Sequence, residues 1–243
     1  MKKKILITGA TSGIGLNFFK KNLFKNYEFL LIGRNFSNID NFLFNKKLKS
    51  KVNKIRFDFK NNLRRFDFNK IPKLDYIVLA AGIAKHNLVR DFDEKVFDEV
   101  ININLVQTAK FLSLLIKNNK INDNASIVVV SSISGYRMAF NFHYAYSISK
   151  AGLIAMTKSL ANELSLKLIR VNAVAPGMVD TPLADRLSKD DYFTKIDKGK
   201  YLLGKRYAKS SEISNVISFL LSAKSSFITG ETIVVDGGFT LTK

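Results

Sequence analysis

Lys4-Ile-Leu-Ile-Thr8-Gly9-Ala10-Thr11-Ser12-Gly13-Ile14-Gly15 opens the chain, and Leu16, Phe18, Phe19 and Leu23 follow at helical spacing. An apolar β-rich run, a glycine-rich turn and a helix in that order are the start of a dinucleotide-binding βαβ unit. Gly9 permits the tight turn, Gly13 lets backbone approach a phosphate, and Gly15 lets the helix pack on the strand, with the helix N-terminus facing the anion. The spacing is G-x-x-x-G-x-G and not the usual G-x-G-x-x-G, and a glycine-rich turn by itself serves structure as readily as ligand binding. Its place after the first strand favours the ligand.

Outward from this turn, short β-rich runs alternate with longer helical stretches. Residues 4–8, 27–32, 54–57, 76–79, 126–131, 170–174 and 232–235 read as buried strands, and 93–118 and 144–168 as long helices, the first with acids early and lysine late. Such alternation predicts an α/β fold: a single Rossmann-type doubly wound domain with a seven-stranded parallel sheet flanked by helices. Ligands then lie along the carboxyl ends of the strands. No linker-like stretch divides the 243 residues, and no internal repeat is present.

Composition narrows the chemistry. With no cysteine and two histidines, His86 and His143, a disulfide framework and a Cys-ligated metal site are excluded and a His-based metal site is not supported. The longest uncharged apolar run, residues 77–84, falls short of the roughly 18 residues a spanning helix needs. The apolar stretch after the lysines at 2–4 is broken by Thr8 and Gly9, unlike a signal peptide. The chain therefore reads as cytoplasmic, with no membrane association. Its 39 Lys and Arg against 20 Asp and Glu give a net charge of +19. The lysines are scattered in a composition rich also in Asn and Phe, and no zinc-finger, basic-zipper or ribonucleoprotein pattern accompanies them. A solvated basic surface is the favoured reading, with anionic ligands or membranes secondary and a nucleic-acid interface a minor alternative.

Two further sites carry chemistry. The second strand ends Leu31-Ile-Gly33-Arg34-Asn35, without the acid that holds ribose hydroxyls in NAD enzymes, and Arg34 is placed to pair with a 2′-phosphate. That favours NADP(H) over NAD(H). Tyr146-Ser-Ile-Ser-Lys150 puts a phenol and an ammonium on one helix face. A neighbouring ammonium stabilises a phenolate, which would lower the phenol's pKa from about 10 and fit it for proton exchange with a substrate oxygen. Tyr144 lacks such a partner, because position 148 is Ile. Fourteen residues before Tyr146, the strand at 126–131 delivers Ser131-Ser132 to the carboxyl edge.

Thr8-Gly-x-x-x-Gly-Ile-Gly15, Ser131-Ser132, Tyr146-x-x-x-Lys150, Arg170-Val-Asn-Ala-Val-Ala-Pro-Gly177 running on to Thr181, and Ile228-Thr-Gly-Glu…Asp236-Gly-Gly, in this order, resemble the short-chain dehydrogenase/reductase family across nearly the whole chain. The resemblance implies a catalytic set of Asn104, Ser132, Tyr146 and Lys150. Tyr146 would be the general acid/base, Lys150 would lower its pKa and hold the nicotinamide ribose, and Ser132 would polarise the carbonyl. Asn104 would kink its helix so that water connects Lys150 to solvent. It implies cofactor contacts at Gly9, Thr11, Ser12, Gly13, Ile14, Gly15, Arg34, Asp58, Phe59, Ala81, Gly82, Tyr146, Lys150, Pro176, Gly177, Val179 and Thr181. No metal is implied.

Two departures stand out. Leu79-Ala80-Ala81-Gly82 replaces the family's usual Asn-Asn-Ala-Gly, removing side chains that brace the sheet, and the segment between Asp58 and the fourth strand is short, so its helix should lose a turn or two. Residues 178–207 read as a substrate-binding lid. Residues 201–213 with the Ile228-Thr-Gly-Glu ending are similar to bacterial 3-oxoacyl-[acyl-carrier-protein] reductases, which implies a carrier-linked carbonyl substrate. Lys117, Lys120 and Lys167 then offer a basic surface to an acidic carrier, with lysine bias an equal explanation. A small-molecule ketone such as a sugar or sugar nucleotide fits the same catalytic residues, and a non-catalytic dinucleotide-binding protein is the remaining reading on this fold. Relatives usually assemble through the two long helices, so a homotetramer or homodimer is expected.

Overall fold

The computed structural model describes residues 2–47, 52–138, 140–187 and 198–241. Seven parallel strands, β1 (Lys3–Thr8), β2 (Tyr27–Gly33), β3 (Val52–Arg56), β4 (Leu74–Leu79), β5 (Ile121–Val130), β6 (Arg170–Pro176) and β7 (Thr232–Val235), form one sheet in the order β3-β2-β1-β4-β5-β6-β7. The order reverses between β1 and β4, which opens a crevice at their carboxyl ends.

Alternate residues of the central strands face opposite layers. Ile5 and Ile7 of β1 pack with Phe18 and Phe19 of α1 (Gly13–Asn22), Ile39 of α2 (Ser37–Asn45) and Ile213 and Ile217 of α7 (Ser210–Leu221). On the other face Leu6, Ile77 and Leu79 meet Ile103, Phe111 and Leu153, from the long helix that follows β4 and from α5 (Tyr144–Glu163). Being buried on both faces, these strands are continuously apolar, which is why they were readable as runs.

The helix after β4 begins where the Asp93 carboxylate accepts the Val96 N–H at 3.1 Å, and it comprises α3 (Glu94–Ile101), a π-helical turn (Asn102–Val106) and α4 (Gln107–Lys117). By length and composition Glu94–Lys117 is apolar enough to cross a membrane. In the fold its Val100, Ile103, Phe111, Leu112 and Leu115 are buried in the core. A short helix α6 (Pro182–Leu187) follows β6.

Three expectations are corrected. No α-helix joins β3 to β4: two 3₁₀ turns, Leu63–Arg65 and Phe68–Lys70, take its place, each started by a side-chain oxygen (Asn62, Asp67) accepting a backbone N–H two residues on. The apolar residues here come as Phe57-x-Phe59 and Phe66-x-Phe68, a period of two that no helix face can gather. Phe59, Phe66 and Phe68 instead pack their rings around Phe111, with centroids 5.4–5.7 Å away. β5 starts at Ile121, five residues before the predicted strand, because Ile121 and Ala125 are buried while Asn122, Asp123 and Asn124 mask the pattern and Asn124 takes a left-handed φ of 61° at a register shift. The predicted helix at 144–168 ends at Glu163, followed by a 3₁₀ turn, Ser165–Lys167, and a left-handed Leu168.

Candidate active site

A cleft of about 1260 Å³ runs along the carboxyl edge of the sheet. Every residue assigned above to cofactor or catalysis lines it except Gly15 and Asn104, which stand behind its wall.

At one end lies the glycine turn. Gly9 has φ of 65°, and a side chain there would meet Ala80 backbone at 2.7 Å. A Cβ on Gly15 would stand 2.4 Å from the Gly9 carbonyl oxygen, so only glycine brings α1 this close to the strand end. Gly13, at φ of 50°, faces open space with Thr181 no nearer than 3.4 Å. Ser12 caps α1 without a side-chain hydrogen bond, so the first N–H groups of the helix keep their donors for a ligand. At Gly33, where β2 ends without an acid, a Cβ would fall 2.4 Å from the Thr11 methyl. The side chain available at this end is the exposed Arg34, beside Asn35, whose Oδ1 accepts the Ser37 N–H at 2.9 Å. Asp58, Phe59 and Lys60 form the opposite wall.

In the middle, Ala81 N–H donates to Thr8 Oγ1 at 3.3 Å, so Thr8 braces the β1–β4 edge where the family's asparagines are missing. Gly82 faces Asn104 and Lys150: a Cβ there would lie 3.2 Å from Asn104 Oδ1 and 3.5 Å from Lys150 Nζ.

The far end holds the polar set. Asn104 sits, fully buried, in the π turn, a bulge that lets one residue leave the regular ladder. Its amide closes on both backbone groups of Ile83, accepting the N–H at 2.8 Å and donating to the carbonyl at 2.9 Å, and donates also to Ser149 Oγ at 3.1 Å. Lys150 Nζ donates to the Val130 carbonyl at 2.9 Å and lies 5.5 Å from the Tyr146 ring centre. Ser131 Oγ donates to the Lys150 carbonyl at 2.8 Å, and Gly135 lets the serine turn press on α5, where a Cβ would meet Ala151 N at 2.4 Å. Ser132 shares a hydrogen bond with Tyr146.

Burial dominates both titratable groups. It lowers Lys150 from 10.5 to about 8. It raises Tyr146 above the ordinary phenol value, partly offset by the Ser132 hydrogen bond. The resemblance implies that Lys150 lowers the phenol's pKa; burial of the phenolate is the largest influence on Tyr146 and sets the direction upward. Tyr146 stays protonated at neutral pH.

The sequence reading missed the wall beside Tyr146. Ile83, Phe140, Phe142, His143, Met178 and Leu183 line it. The one available signal was His143, three residues before Tyr146. The stretch after β6 is tied to the chain just before α7: Asp180 N–H donates to the Ala208 carbonyl at 2.9 Å and Ala208 N–H to the Met178 carbonyl at 3.0 Å. Met178 N–H also donates to the buried Tyr201 hydroxyl at 2.9 Å, and Arg206 grips Glu212 with two 2.8 Å bonds. Of the lid expected over 178–207, residues 188–197 lie outside the described residues.

A parallel sheet with a glycine-turn cradle at its switch point and a Ser-Tyr-Lys-Asn set at the far end defines a nicotinamide-dependent oxidoreductase. The chain belongs to the short-chain dehydrogenase/reductase family: the profile described as enoyl-(acyl carrier protein) reductase matches residues 64–240. It is 36% identical to a 3-oxoacyl-[acyl-carrier-protein] reductase of Rickettsia bellii over 96% of this chain and 95% of that one. It is 39% identical to the corresponding reductase of Thermotoga maritima over 71% of this chain and 68% of that one. Among solved structures, 4-hydroxyisoleucine dehydrogenase complexed with NADH superposes with a TM-score of 0.87 at 30% identity, covering 99% of this chain and all of that one.

Proposed function

We propose that this chain is an NADPH-dependent reductase of 3-oxoacyl thioesters, with the substrate presented on an acyl carrier protein. The observation that carries the reading is Tyr146, protonated and hydrogen-bonded to Ser132, at one end of a cleft whose other end presents Arg34 where β2 closes without an acid. The likeness to reductases named for that substrate supports it.

The residues fit a nicotinamide dinucleotide. The donors at the start of α1 and the open face of Gly13 suit its pyrophosphate, Asp58 and Phe59 its adenine, Arg34 a 2′-phosphate, and Gly82, Lys150, Val179 and Thr181 its nicotinamide half. Bound there, the reduced nicotinamide supplies the hydride. Ser132 orients the ketone oxygen. Tyr146 gives that oxygen its proton as negative charge develops. Lys150, held at the Val130 carbonyl, places its ammonium beside the phenol and favours the charge Tyr146 takes on. Asn104 fixes the Ile83 backbone against the same pocket and keeps Lys150's surroundings polar. A raised phenol pKa keeps Tyr146 in the form that reduction needs.

Two outcomes test this. Arg34→Asp replaces a cation by an anion where the 2′-phosphate would lie, and its kcat/KM ratio for NADPH over NADH is expected to fall on the order of a hundredfold. An unchanged ratio removes Arg34 from cofactor choice. Second, kcat/KM reports the free protein's groups. Because Lys150 gives up its proton near pH 8, ketone reduction is expected to fall as pH rises through about 8. A profile that stays flat through the alkaline range removes the Lys150 ammonium from the reaction.

Lid movement of residues 178–207 over the substrate, docking of an acidic carrier on Lys117, Lys120 and Lys167, assembly into a tetramer or dimer through α3, α4 and α5, and a cytoplasmic setting complete the proposal. A small free ketone is the second reading, favoured by the likeness to 4-hydroxyisoleucine dehydrogenase. Turnover of acetoacetyl thioester against a panel of keto-sugars, with NADPH and NADH in parallel, decides between them.

A further inference from the structure

We infer that His143 recognises a second oxygen on the substrate, a carbonyl that accepts a hydrogen bond from its imidazole while Tyr146 protonates the reacting ketone. The inference rests on the reductase reading above and deepens it.

Both histidines of the chain converge on the substrate end of the cleft. His86, after β4, and His143, before α5, stand with ring centres 5.9 Å apart. Their segments are tied together: Asn87 N–H donates to the Phe142 carbonyl at 2.7 Å and Tyr144 N–H to the Asn87 carbonyl at 3.4 Å. The His143 ring lies 5.7 Å from that of Tyr146 and 6.0 Å from that of Phe140. One small molecule can therefore touch both His143 and Tyr146.

His143 Nδ1 is buried and has no hydrogen-bond partner. A buried N–H left unpaired is costlier and rarer than an unused lone pair, so the proton belongs on Nε2. That leaves Nε2–H as the ring's remaining polar group, on a residue that lines the cleft, and it is a donor. It selects an acceptor. Burial, reinforced by His86, holds the imidazole pKa at about 4, so the donor is uncharged at neutral pH and suits a neutral carbonyl. The Phe140 ring stands 6.0 Å from the imidazole, and Ile83, Phe142, Met178 and Leu183 add apolar surface to the same cleft. An acyl chain with one carbonyl beside the ketone satisfies both the donor and these apolar side chains.

The test pairs a 3-oxobutanoyl thioester with a methyl ketone of the same length that lacks the second carbonyl. The wild-type protein is expected to prefer the dicarbonyl. His143→Phe keeps a ring and removes the donor, and should cut that preference about tenfold, mainly through KM, the loss of one hydrogen bond. His143→Gln restores an N–H and should keep the preference within a few fold of wild type. A preference unchanged in His143→Phe overturns the inference, as does a fall in His143→Gln equal to that in His143→Phe. Turnover of both ketones without a wild-type preference overturns the inference alone. Turnover of neither overturns the reductase reading with it. Independently of any variant, ¹⁵N imidazole spectra of the wild-type protein should place the His143 proton on Nε2 and shift on adding a 3-hydroxybutanoyl thioester; a proton on Nδ1 overturns the inference.

Discussion

Tyr146→Phe is expected to reduce ketone on the order of a thousandfold more slowly than the wild-type protein while still binding NADPH, the scale of losing a positioned general acid. The substitution deletes one hydroxyl and keeps the ring that His143 packs against. No neighbouring group replaces the proton. Ser132 supplies a hydrogen bond but is a far weaker acid, and Lys150 points its donor at the Val130 carbonyl. Because the missing interaction forms only as charge develops on the substrate oxygen, the loss should appear in kcat and not in cofactor affinity. Nicotinamide fluorescence titration beside steady-state turnover separates the two. Activity within a few fold of wild type would remove Tyr146 from the mechanism.

How much of this was legible in the sequence depends on the distance over which each signal acts. The seven strands were readable because Ile5, Leu6 and Ile7, or Ile127, Val128 and Val129, are buried on both faces and show as unbroken apolar runs. The glycine turn was readable because its chemistry is local. Between β3 and β4 the order Phe-x-Phe, twice, was present, but its meaning lay in Phe111, about fifty residues away, which the rings surround. The start of β5 was hidden because a bulge at Asn124 breaks the period that strand reading relies on. In the site, spacing put Tyr146 and Lys150 on one face, yet the sign of the phenol's shift follows from how deeply α5 is covered, and spacing carries no information about burial. His143 was visible as a residue but carried no weight, for the same reason. A lone histidine becomes informative only when an unpaired nitrogen is seen against the catalytic ring.

Gly15→Ala is the second large effect expected, and it falls on binding and fold together. The added methyl carbon would stand 2.4 Å from the Gly9 carbonyl oxygen, 2.9 Å from its carbonyl carbon and 3.3 Å from Ala10 Cα. All three are backbone atoms, so no rotamer change relieves the clash, and α1 must move away from the end of β1. Overpacking of this kind costs about 1–3 kcal/mol of stability. The displaced helix also takes its free N–H groups out of line with the bound pyrophosphate, so NADPH affinity should fall on the order of a hundredfold. Gly13→Ala reaches the phosphate space without pushing α1 off the strand. Its methyl meets only the Thr181 side chain, at 3.4 Å, so the fold loses little beyond the cost of a left-handed residue, about 1–2 kcal/mol, while the new carbon occupies the space through which a phosphate approaches. Thermal melts and NADPH titrations of the two variants check this: both should bind cofactor weakly, and both should melt below the wild-type protein. If both bind NADPH as wild type does, the turn is structural and the cofactor lies elsewhere in the cleft.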